Sequence, residues 1–152
     1  NSHQVSVKVA KDDGAGNPTQ VSSAELNAVK SYINAQQAAG LFINAVSFPP
    51  DTLELDMEIF FDGQYVQTNV ENDVKQAITE YLQSLKFDGS IQVIKMTDII
   101  QEVAGVQDVY FNTIYGKPQS SGKVLFDRVY NTQAGYASLD LPNSVFKMTV
   151  EK

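Results

Sequence analysis

An α+β domain is encoded by three features of this chain. Apolar residues alternate strictly with mostly acidic ones from Leu53 to Phe61, and an apolar stripe recurs at helical spacing from Val70 to Leu85. Short β-prone runs between them are punctuated by Asp-Gly, Gly or Pro. The predicted core order is β-α-β-β-α-β-α-β, a small mixed sheet packed by two main helices, followed by a β-rich C-terminal extension. Residues 1–115 are expected to form the core, and residues 116–152 an extension packed on or beside it.

Val5, Val7 and Val9 alternate with Ser6 and Lys8 and stop at Asp12, Asp13 and Gly14, the pattern of a strand entering a turn. Ser22 is placed to cap a helix with Glu25 returning the bond, and Leu26, Val29 and Ile33 follow at helical spacing. This helix is predicted over about Ser23 to Ala39, with Gly40 as its C-terminal cap. Leu41 to Phe48 reads as a second strand. Pro49 and Pro50 break it before the alternating run Leu53 to Phe61, and the two strands are expected to make a hairpin-like unit through the prolines. The alternation buries Leu53, Leu55, Met57, Ile59 and Phe61 and leaves Glu54, Asp56 and Glu58 on a wet face.

After Asp62 and Gly63, Thr68 and Glu71 match a second capping box, and Val70, Val74, Ala77, Ile78, Tyr81, Leu82 and Leu85 line one face of a helix. Asp88 and Gly89 end it. Ile91 to Ile94 is a short strand, Thr97 is expected to cap a two-turn helix that stops at Gly105, and Val106 to Tyr115 is strand-like. Beyond Tyr115 the segment Gly116 to Gly122 has no apolar period, and β-prone pieces return at Val124 to Phe126 and Val145 to Val150.

The composition narrows the functional classes. At 152 residues with 43% hydrophobic and 19% charged side chains, the chain is an ordinary globular one, long enough to hide roughly 70% of its unfolded surface. Its longest apolar runs fall far short of the ~20 residues of a spanning helix, so no membrane insertion is expected. Eighteen acidic against eleven basic residues give a net charge of −7, and the cations are scattered singly, which argues against nucleic acid. The absence of cysteine excludes a disulfide scaffold, a thiol nucleophile and a thiolate metal cage. Beginning at Asn1 with no leader-like pattern, the chain reads as a piece of something longer.

No catalytic, cofactor-binding or metal-binding residue is expected. Gly14 and Gly16 follow a strand, but Thr19 stands where a dinucleotide fingerprint needs glycine or alanine, and the helix starts too late. Glu54, Asp56 and Glu58 project about 6.5–7 Å apart, an opening for calcium or magnesium, yet one strand supplies no carbonyls. A solvated face, or one meeting a basic partner, is the preferred reading. His3 is the only histidine and is expected to be terminal slack, so no relay or zinc triad can be built on it. Asp12 and Asp13 beside Gly14, and Asp88 beside Gly89, are turn formers before they are acids. Arg128 is expected to pair with Asp127 at the surface. Tyr110, Phe111, Tyr115, Phe126, Tyr130 and Tyr136 crowd the later part of the chain, where Asp108 is a poor neighbour for a base; core and protein interface are preferred.

These residues together resemble the C-terminal region of baseplate J-like proteins, wedge components of contractile phage tails and related injection machines. The resemblance runs from Val5 to Tyr115. It rests on Val5 to Ala10 with the turn at Asp12 to Gly14, the helix ending at Ala39 and Gly40, and the alternating Leu53 to Phe61. It continues with the helix Val70 to Leu85, the turn Phe87 to Gly89 and, most tellingly, Ile99 to Val109. Where that family often carries Arg-Pro before the glycine of the first helix, this chain has Gln37, Ala38 and Ala39 before Gly40.

The resemblance implies a non-enzymatic structural protein of the virion or phage-like particle, assembled in the bacterial cytoplasm. Its partners would be other baseplate or tail proteins and copies of itself, met through protein–protein interaction. Two other classes compete. One is a small-ligand, glycan or receptor-binding surface domain with tyrosines lining a shallow site. The other is an enzyme using Asp12, Asp13, Glu54 or Asp56 with a divalent metal.

Overall fold

Neither Pro49 nor Pro50 has a backbone N–H to offer a sheet, and the chain divides here. A computed structural model, which describes residues 3–151, separates into two units, Asn1–Pro50 and Asp51–Lys152. The α+β class holds in both.

In the first unit the order is β1 (His3–Lys8), β2 (Lys11–Asp12), β3 (Pro18–Thr19), α1 (Ser23–Gln36) and β4 (Leu41–Val46). β1 and β4 pair in parallel from His3 opposite Leu41 to Lys8 opposite Val46. The backbone of His3 opens β1; its side chain lies outside the described residues. β2 and β3 form a small antiparallel ladder around the Asp12–Asn17 loop, which the sequence pattern does not reveal. The capping box at α1 is present: Glu25 N–H donates to Ser22 Oγ at 3.2 Å, and Ser22 N–H to Glu25 Oε2 at 2.7 Å. The helix stops at Gln36, earlier than the expected Ala39, because Gln37 turns extended.

The second unit contains β5 (Asp51–Asp62), α2 (Gln67–Ser84), β6 (Ser90–Gln92), α3 (Val93–Gln101), β7 (Val106–Lys117), β8 (Val124–Leu125), β9 (Val129–Asn131), β10 (Ala137–Leu139) and β11 (Val145–Glu151), with a 3₁₀ turn at Leu141–Asn143. β5 is central. β7 runs antiparallel along one side of it, and β8 continues the sheet beyond β7. β10 and then β11 run parallel to β5 on its other side. Between those two strands Asp140 N–H donates to Leu53 O, and Leu55 N–H to Ser144 Oγ, so the gap leaves neither group of β5 unpaired.

The alternation of β5 is realised as predicted: Leu53, Leu55, Met57 and Ile59 are fully buried and Phe61 nearly so. Against them lie Val70, Val74, Ile78, Tyr81 and Leu82 of α2 with Met96 and Ile100 of α3. Each such side chain withdrawn from water contributes roughly 1.5–3 kcal/mol. The two helices of the larger sheet are therefore α2 and α3, while α1 belongs to the first unit.

Four expectations are corrected. No hairpin spans the prolines, since β4 pairs with β1, whereas β5 pairs with β7, β10 and β11. Val66, not Thr68, stands at the N-cap of α2, with no side-chain cap. Thr97 lies inside α3, where its hydroxyl donates to Val93 O at 2.9 Å; Gln92 is the N-cap. The division expected after Tyr115 falls instead at Pro50, because residues beyond 115 complete the β5 sheet and place Tyr130 in the core. Gly116 shows how close that packing is: the Tyr130 ring occupies the space where a Cβ would stand.

Candidate functional site

The acidic face of β5 is the natural place to look for chemistry, and the chain itself neutralises it. Glu54 receives Lys123 Nζ at 2.8 and 2.9 Å, and the same ammonium lies 4.8 Å from the centre of the Tyr115 ring. Asp56 Oδ1 accepts from Asn112 Nδ2 at 3.0 Å. Glu58 Oε1 accepts from Thr149 Oγ1 at 2.6 Å and faces Lys147 Nζ at 2.9 Å. The Thr149 bond, then Lys147, holds the Glu58 carboxyl below the usual carboxylate range, and Glu54 raises Lys123 above the usual lysine value. Neighbouring strands and the segment before β8 thus give each of the three acids its own partner instead of letting them converge. Among the described residues no three Asp, Glu or His side chains gather as metal ligands.

The glycine loop is likewise occupied from within. Gly14 and Gly16 N–H donate to Asp12 Oδ1, and Ala15 and Asn17 N–H to Asp13 Oδ1. Amides that would cradle a phosphate are turned onto carboxylates, and β3 intervenes before α1 begins. Those amide bonds, Ala15 foremost, lower the Asp13 carboxyl below its ordinary value. Asp88 takes a left-handed φ of 63° in the turn after α2, and its N–H donates to Gly135 O.

An open groove of about 550 Å³ is lined by Gln92, Val93, Ile94, Thr97, Asp127, Arg128 and Val129. Arg128 forms no ion pair with Asp127 or another acid among the described residues, contrary to expectation. The late aromatics serve mainly the core. Tyr130 is buried and stacks on Phe126 at 5.2 Å, Phe87 and Tyr136 meet at 6.3 Å, and Tyr110 is left 61% exposed.

One polar centre escapes a reading of the sequence. Asp51 is 1% exposed, and its carboxylate accepts from Tyr130 Oη at 2.7 Å and from the N–H groups of Gln133 at 2.7 Å and Ala134 at 3.1 Å. Its signal was present: Asp51 falls in phase with Leu53 and Leu55, so the alternation of β5 places an acid on the apolar face. These partners come from β9 and the loop after it, which makes Asp51 a structural tie. No known family model matches the chain, and no curated protein matches it.

Proposed function

We propose that this chain is a structural assembly module of a phage-like tail baseplate, of the baseplate J-like kind, acting by protein–protein contact without catalysis. It would work in the virion or phage-like particle after assembly in the bacterial cytoplasm, beside other tail proteins and copies of itself. The observation that carries this reading is the unfinished layer of the first unit. Parallel strands normally have both faces covered. Here a single parallel pair, β1 with β4, leaves Val5 44%, Val7 38% and Phe42 66% exposed, and no side chain of α1 is fully buried. Val5 and Val7 lie on one face of the pair and Phe42 on the other, so each face is suited to completion by a neighbour. The internal pairing of Glu54, Asp56 and Glu58 supports the same reading, because it turns the acids of that face onto partners within the chain.

The test is co-expression with the tube, sheath and wedge proteins encoded beside the chain, followed by size-exclusion with light scattering. A defined complex is expected, lost in Val5→Lys and Phe42→Lys variants whose circular dichroism is unchanged. A chain that elutes alone in every combination, or that selectively retains a glycan on an array, would overturn the proposal.

A further inference from the structure

β11 presents a straight open edge. It is 7 residues long, it pairs with β5 without a register shift, and among the described residues no strand pairs its outer side. β7 is different: register shifts interrupt its pairing with β5 at two places, the kind of irregularity that blunts an edge. Along β11 the side chains alternate. Val145, Lys147, Thr149 and Glu151 share the face of Glu58 and Asp62, while Phe146 and Met148 pack on the core side, where Val150 remains 55% exposed. Glu151 sits in register with Asp62, so two like charges are neighbours on one face.

We infer that two copies of this chain pair antiparallel through β11, with the two-fold axis at Thr149. This partner rests on the assembly reading above and is chosen by charge. An antiparallel contact between identical edges is self-complementary. Centred on Thr149, it sets Lys147 of each copy opposite Glu151 of the other, which also offsets the Glu151–Asp62 repulsion. On the core side the same register lays Met148 against the exposed Val150. Centring on Lys147 would oppose two ammonium groups, and centring on Met148 would set Lys147 against Thr149 and Glu151 against Val145. One register therefore satisfies both faces. So short an edge buries well under the ~1,200 Å² of a standard interface, so the contact is weak between free chains and gains strength where chains are already held side by side.

Sedimentation equilibrium of the full chain up to about 1 mM, where a contact of millimolar dissociation constant is substantially formed, tests it. The wild type should dimerise, and Lys147→Glu or Glu151→Lys alone should weaken dimerisation about tenfold or more. The two variants mixed should form a heterodimer, because each then meets opposite charges. A wild type that stays monomeric, single variants that dimerise unchanged, or a mixture that does not associate would each overturn the inference. If Lys147→Glu fails to fold for want of its Glu58 pair, Glu151→Lys alone decides, and unchanged dimerisation there is fatal. A chain that is monomeric yet captured by its tail neighbours sinks this inference alone; one that dimerises but is never captured sinks the assembly reading alone.

Discussion

Tyr130 donates its phenolic proton to Asp51 across most of the second unit's sequence, at 2.7 Å, and so ties β9 to the first residue of β5. A buried carboxylate without a cation is costly unless its lone pairs are filled, and here two backbone amides and a phenol fill them. Asp51→Ala would strand three donors at once. A loss of about 3 kcal/mol or more is expected in urea unfolding, against about 1–2 kcal/mol for Tyr130→Phe, which removes one bond and keeps the ring. Equal, small losses for both would refute the tie.

The same pair predicts an alkaline limit. Burial first, and then the bond to Asp51, raises the Tyr130 phenol above its ordinary value of 10.0. A group raised in the folded state contributes stability that is full below its unfolded value and is lost as pH climbs beyond it. Unfolding free energy should therefore fall above pH 10 in the wild type and fall less steeply in Tyr130→Phe. Superimposable pH profiles would exclude this contribution.

How far the sequence could be read depended on whether the signal was local. The alternation of β5 and the stripe of α2 were legible because burial on one face imposes a period that no other arrangement satisfies. The box at Ser22 and Glu25 was legible too, yet the equivalent pattern at Thr68 and Glu71 fell inside a helix, where a threonine hydroxyl has other acceptors to use. Strand partners were not legible. Adjacency along the chain favoured a β4–β5 hairpin, whereas β4 pairs with β1 and β5 with strands as distant as β11, and nothing local records such choices. For the same reason the cross-strand partners of Glu54, Asp56 and Glu58 were invisible, since Lys123, Asn112 and Lys147 come from other elements.

Acid should loosen the start of α1. The N–H of Ser22, then Lys11, holds the Glu25 carboxyl at about 2 against an ordinary 4.5. A depressed carboxylate contributes stability above its unfolded value and surrenders it as pH falls through the folded one. The first unit should therefore lose helicity between pH 4.5 and about 2. No side chain of α1 is fully buried, so packing offers it little compensation. Glu25→Gln should flatten that transition in far-ultraviolet circular dichroism; an unchanged transition would assign it to other acids.

Truncation before Val124 distinguishes an appendage from a working part of the sheet. Removing residues 124–152 takes away β8, β9, β10 and β11, exposes the outer side of β5 along Asp51–Leu53 and Asp56–Asp62, and deprives Asp51 of Tyr130, Gln133 and Ala134. It also uncovers apolar surface on Phe146 and Met148's side of the core. The unpaired backbone groups and the stranded carboxylate are together comparable to or larger than the ~5–15 kcal/mol by which a domain is usually stable. The truncated chain is expected to lose cooperative thermal unfolding, or to aggregate through the bared edge of β5. A truncated chain that still melts in one sharp transition would mean that β5, β7, α2 and α3 suffice, and that the C-terminal strands are carried for docking alone.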